Sequence, residues 1–102
     1  MKKVSEKTIE SYLREEVKKQ NGRAYKWESP GNAGVPDRIV LLPNGKTYFV
    51  ELKAPGKKPT PLQITQHRKL EMLGHKVHVL DSKEAVNEFI REVSQNARLY
   101  PL

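Results

Sequence analysis

The chain has no cysteine. Disulfides and thiolate metal sites are therefore excluded, and the composition suits a reducing cytosol. Also missing is any apolar run near the roughly 20 residues that a membrane span requires. The start, Met1-Lys2-Lys3 followed by Ser5-Glu6-Lys7, has no apolar stretch of the kind that marks a secretory signal. These absences predict a soluble protein of the cytoplasm with no membrane partner. Acidic residues are the minority charge: 12 Asp and Glu stand against 19 Lys and Arg, giving a net charge of +7. That excess favours a polyanionic partner, and nucleic acid is the commonest one. No internal repeat or linker divides the 102 residues, so residues 1–102 read as one domain. A domain of this size buries roughly two-thirds of the surface its unfolded chain exposes, enough for one modest core.

Hydrophobic spacing lays out the elements. Ser5 reads as an N-cap, and a helix runs to about Lys19 with Ile9, Tyr12, Leu13 and Val17 on one stripe. Asn21-Gly22 ends it. Ala24 to Glu28 alternates as a first strand, and Ser29 to Gly34 is a small-residue loop able to approach a ligand closely. Arg38 to Leu42 and Thr47 to Lys53 are strand-like and apolar at almost every position, which predicts central strands covered on both faces. Pro43-Asn44-Gly45 between them is strong turn chemistry. Ala54 to Pro61, with three prolines, a glycine and two lysines, is an exposed loop. Thr60 caps a second helix that Pro61 opens, with Ile64, Leu70 and Leu73 as its buried side and Gly74 as its stop. Val77, Val79 and Leu80 mark a further strand. A last helix follows Asp81 or Ser82, with Ala85, Val86, Phe89 and Ile90 inward. The tail from Gln95 to Leu102 shows no pattern and is expected to be flexible. The order αβββαβα makes this an α/β protein, and its strand–helix–strand unit implies a parallel pair.

Chemistry gathers in the middle of the chain. Glu51 and Lys53 are two apart on a strand, so their side chains leave the same face. A three-residue loop at Pro43-Asn44-Gly45 pairs residue 42 with 46, and counting back sets Asp37 opposite Glu51. A two-residue loop would set Asp37 opposite Leu52, on the other face. Pro-Asn-Gly suits the three-residue form, a type I turn closed by a left-handed glycine. Two carboxylates so placed repel unless a cation lies between them, and hard oxygen ligands point to Mg²⁺ or Mn²⁺. Such an ion lowers the pKa of a bound water and neutralises charge building on a phosphate. Lys53 is placed to orient the water or steady that charge. The competing explanation is a structural Glu51–Lys53 ion pair. Glycosidase-like chemistry by the two acids fits poorly with the lysine and with the basic charge.

Gly34-Val35-Pro36-Asp37, Glu51-Leu52-Lys53 and Gln63 on the next helix resemble the VRR-NUC branch of the PD-(D/E)xK nuclease superfamily. The likeness spans about residues 5 to 82 and includes Thr60-Pro61-Leu62-Gln63 and Leu73-Gly74. It implies a restriction-endonuclease-like αβββαβ core, a mixed central sheet flanked by helices. It also implies metal-dependent phosphodiester hydrolysis. By this resemblance Asp37, Glu51 and the backbone carbonyl of Leu52 are metal ligands, Lys53 is the catalytic lysine, and Gln63 positions the lysine or the water. A further acid on the first helix is implied too, Glu6 in preference to Glu10. Stand-alone members of similar length resemble phage and bacterial junction-cleaving nucleases. That implies a homodimer acting on branched DNA such as four-way (Holliday) junctions, in the cytoplasm of a bacterial or phage-infected cell. The rival reading is a catalytically silent nucleic-acid-binding module, and a third is an accessory protein working through protein contacts.

Around this centre, Lys57, Lys58, Arg68, Lys69 and Lys26 are candidates for gripping flanking phosphates without sequence preference. Trp27 is expected in the core rather than stacked on a base. His67, His75 and His78 match no metal-binding spacing. His67 lies one helical turn after Gln63 but reads as a surface residue.

Overall fold

A computed structural model describes residues 4–97, with side chains to residue 94. Met1-Lys2-Lys3 and residues 98–102, and the readings made on them, lie outside the described residues. Seven elements follow in the expected order: α1 (Glu6–Lys19), β1 (Arg23–Lys26), β2 (Arg38–Leu41), β3 (Thr47–Leu52), α2 (Pro61–Met72), β4 (Val77–Leu80) and α3 (Lys83–Ala97). The hydroxyl of Ser5 accepts from the Thr8 amide at 3.1 Å, and that of Ser82 from the Ala85 amide at 3.0 Å. Each satisfies an N–H that its helix leaves orphaned. Thr60 and Gln63 form a reciprocal capping box at the start of α2.

The turn sets the register. The Gly45 amide donates to Leu42 at 3.0 Å, and the Leu42 amide to Lys46 at 3.1 Å. Gly45 takes φ +82°, a conformation that costs glycine little. Three residues thus close the hairpin, and β2 pairs antiparallel with β3 as Arg38↔Val50 through Leu41↔Thr47. The same count sets Asp37 level with Glu51. The sheet order is β1-β2-β3-β4, antiparallel except for the parallel β3–β4 pair. The result is the mixed α/β sheet of the restriction-endonuclease-like fold.

One face of this sheet carries the core. Val40, Leu42, Val50, Leu52 and Leu80 point towards α1 and α3 and pack against Ile9, Leu13, Val17, Val86, Phe89, Ile90 and Val93. Burial of a side chain of this kind contributes about 1.5–3 kcal/mol, so this layer holds the fold.

Four expectations need correction. The central strands are not covered on both faces, because α2 shields the second face only near Glu51 and leaves Leu41 and Val79 exposed. The expected buried side of α2 also needs revision: Ile64 is 39% and Leu73 is 75% exposed, Leu70 is only half-buried, and the buried residue of α2 is His67. This helix sits over a polar site, so its inward face is polar and an apolar stripe does not mark it. The first strand is Arg23–Lys26 rather than 24–28, although the Trp27 amide still donates to Asp37 at 2.9 Å. Finally, α3 continues to Ala97 and takes up the first part of the stretch expected to be flexible.

Candidate active site

Asp37 enters just ahead of β2, behind the fully buried Pro36. Its Oδ2 accepts from the Leu52 amide at 2.8 Å. The hairpin thus ties the aspartate directly to the backbone between Glu51 and Lys53. Glu51 is 1% exposed, on the face of β3 opposite the core. Its carboxyl is pushed up to about 8, first by burial, then by the charge of Asp37 and a hydrogen bond to it. Lys53 acts in the opposite direction without offsetting these effects. Its Nζ lies 3.8 Å from Glu51 Oε2, beyond hydrogen-bonding distance, so the ammonium is not consumed by a tight ion pair.

Gln63 is fixed at both ends. Its Oε1 accepts from the Thr60 amide at 2.9 Å, so its Nε2 faces Glu51 Oε2 and donates at 3.1 Å. Because a backbone N–H can only donate, the cap decides which way the amide points. Gln63 therefore reaches the glutamate rather than the lysine. The other carboxylate oxygen, Oε1, faces His67 Nε2 at 3.5 Å, and neither atom has a hydrogen-bond partner. Burial is also the main cause lowering the pKa of His67. Burial thus disfavours the charged form of both the imidazole and the carboxyl, and two buried polar atoms are left unsatisfied between them.

His67 is the residue that sequence reasoning missed, since a surface position was expected. The signal was present in its spacing, one turn after Gln63 on the same helix face. Close approach also shapes the wall. Gly34 takes φ +94°, and a Cβ there would lie 3.0 Å from the Leu62 carbonyl oxygen, so the small-residue loop lies directly on α2.

On α1, the two candidate acids separate. The pKa of Glu6 is raised by partial burial and then by Asp37, with Lys53 opposing, so it shares the field of the site. Glu10 instead accepts from Arg38 Nε at 2.9 Å. Lys57 and Lys58 are exposed on the loop after Lys53, and Arg68 and Lys69 are exposed on α2. Lys26, exposed at the end of β1, lies 3.5 Å from Glu28. Trp27 is half-buried against Phe49, with ring centroids 5.4 Å apart. His75 packs edge-on to Phe49 and His78 on Phe89, both as aromatic spacers.

The donor set fits a hard divalent cation. Two carboxylates converge, one of them with an unpartnered buried oxygen. Among the described residues no group of three or more His, Cys, Asp or Glu is close enough to form a complete cage. Mg²⁺ commonly takes one or two carboxylates and completes its shell with water and substrate phosphate, so two suffice.

The chain matches no family model. It is 57% identical over 84 residues to "Putative nuclease p44" of Acyrthosiphon pisum secondary endosymbiont phage 1, covering 82% of this chain and 90% of the phage protein. A solved structure of a VRR_NUC domain superposes with a TM-score of 0.79 at 32% identity, covering 84% of this chain and 94% of that one. With that identity over nearly the full length of the phage protein, and with the same mixed sheet and helices as the solved domain, the chain belongs to the VRR-NUC family.

Proposed function

We propose that this protein is a metal-dependent DNA endonuclease that hydrolyses phosphodiester bonds, with branched DNA such as four-way junctions as its preferred substrate. The observation that carries the reading is the meeting of Asp37, Glu51 and Lys53 at one end of the central strand pair, where Glu51 is buried at a real cost to its charged form. A carboxylate held in that state has a purpose if a cation restores its charge. The nuclease description of the phage relative supports the same reading.

Asp37, Glu51 and the Leu52 carbonyl would hold Mg²⁺ or Mn²⁺, with Glu6 nearby. When bound there, the ion would supply an acidified water and neutralise charge on the phosphate. The rest falls to this chain's own side chains. Lys53 carries an unspent ammonium, placed to stabilise the negative charge that grows on the phosphate oxygens during in-line attack. Gln63 holds one oxygen of Glu51 in place, and His67 closes off the other side of the carboxyl from bulk water. Lys57, Lys58, Arg68, Lys69 and Lys26 steady the flanking phosphates.

We further propose a homodimer. Leu41, Val79 and Tyr25 are exposed on the half-covered sheet face, and α2 ends in exposed Met72 and Leu73. A second copy would cover such apolar surface, and two active sites suit symmetric cuts in two strands. No helix among the described residues is long and apolar enough to cross a membrane, and we place the protein in the cytoplasm of a bacterial host. The test is incubation with labelled duplex and four-way DNA in Mg²⁺, Mn²⁺ or EDTA. Metal-dependent products from wild type, lost in Asp37→Ala and Glu51→Ala while DNA binding persists, are expected. Undiminished cutting by either variant, or a gel shift without any cutting, refutes the reading.

A further inference from the structure

A second charged feature lies outside the site. A cleft of about 640 Å³ runs between α1 and the edge strand β1. Arg14, Lys18, Arg23, Lys26 and Arg38 line it, against a single carboxylate, Glu15. Arg38 is already engaged by Glu10 at 2.9 Å and by the Ala24 carbonyl at 3.0 Å. The other four cationic residues are exposed, with Lys26 3.5 Å from Glu28 and Arg23 donating to the Gly22 carbonyl at 3.1 Å.

Ordinary structural reasons account for some of these charges. Lys18 lies in the last turn of α1, where a cation complements the helix dipole. Basic residues on an edge strand deter pairing with another chain, which covers Arg23 and Lys26. Neither reason accounts for Arg14. It lies one turn before Lys18, a like charge, and one turn after Glu10, whose carboxylate is already held by Arg38. Nor does either explain why the helix and the strand turn their cations into the same cleft. An anion lying between them accounts for both.

We infer that this cleft is a phosphate-binding tract that takes the nucleic-acid backbone running away from the cleavage centre. This rests on the nuclease reading for its direction. Arg38, at the inner end, leaves the α1 face of the sheet while its chain neighbour Asp37 leaves the other, and it bonds Glu10, one turn along α1 from Glu6, so the cleft and the site meet at the end of α1 rather than on one sheet face. Contacts of this kind position the substrate and carry no sequence preference.

The test is Arg14→Gln/Lys18→Gln/Arg23→Gln, with binding to a labelled DNA duplex read by fluorescence anisotropy in EDTA across a salt series. Each phosphate contact contributes about 0.9 to the slope of log K against log salt, so the variant's slope becomes shallower by about 2–3 and its affinity at low salt falls at least about tenfold. The control Lys76→Gln/Lys83→Gln/Arg91→Gln removes the same charge elsewhere and shifts the slope by less than about 1. An unchanged slope in the first variant, or an equal loss in the control, overturns the tract. Circular dichroism confirms folding. If the triple variant is unfolded, the single changes Arg14→Gln and Lys18→Gln serve, each lowering the slope by about 1, and unchanged slopes in both overturn the tract. A wild type that binds through the cleft but never cuts with Mg²⁺ or Mn²⁺ removes the nuclease reading alone. A wild type that cuts while the triple variant binds as before removes the tract alone.

Discussion

Replacing Glu51 with glutamine should stabilise the metal-free protein, although the residue sits at the centre of the site. Glutamine copies the neutral form: it keeps an acceptor for Gln63 and turns its amide N–H towards the unpartnered Nε2 of His67. In the folded chain the Glu51 carboxyl titrates at about 8, against an ordinary value of 4.5. A group whose folded pKa is raised contributes full stability below its unfolded pKa and loses it as the pH climbs through the folded one. The window is therefore pH 4.5 to 8. At pH 7 the unfolded carboxyl is ionised by about 2.5 units while the folded one is mostly neutral. At about 1.4 kcal/mol per unit this costs wild type about 3 kcal/mol. Thermal melts in EDTA should give matching midpoints near pH 4.5 and a Glu51→Gln midpoint more than roughly 10 °C higher at pH 7. Adding Mn²⁺ should raise wild type and leave the variant unmoved. If the variant is instead less stable by about 3–5 kcal/mol at neutral pH, Glu51 is an ionised partner of Lys53 in a structural ion pair, and the reasoning fails.

Three further outcomes follow from the geometry. Lys53→Met should lower kcat by about 10²–10³-fold, the loss expected when a donor to developing charge is removed, with DNA affinity in EDTA little changed; steady-state cleavage of a labelled duplex measures both. Gln63→Ala removes half of the capping box and the hold on Glu51 Oε2. It should cost about 1 kcal/mol in urea unfolding and about 10–100-fold in Mn²⁺ affinity. Gly34→Ala should destabilise by about 1–3 kcal/mol, because it forces φ +94° on a residue whose Cβ meets the Leu62 carbonyl. Gly31→Ala, at φ +82° with open space around it, should cost less in the same melt.

The site's register was legible because it is local. Pro43-Asn44-Gly45 dictates a three-residue hairpin, and a period of two then carries Asp37 to Glu51 without any tertiary information. The helix caps at Ser5 and Thr60 were readable for the same reason, while the last helix left Asp81 and Ser82 both open and the structure selects Ser82. What surrounds the carboxylates was not. The inward face of α2 is set by the polar group it covers, so its apolar residues mark the wrong side and His67 looks like surface. Near-continuous apolar strands likewise suggested two covered faces. Leu41 and Val79 show that one helix over a six-residue strand leaves the edges of that face open.

The carboxylate pair can be examined directly by titrating Mn²⁺ into the protein without DNA and following the free ion by electron paramagnetic resonance. Binding by wild type that is lost in both Asp37→Ala and Glu51→Gln is the predicted result. Equal Mn²⁺ uptake by all three proteins, or uptake by none of them, would contradict a cation held between these two side chains.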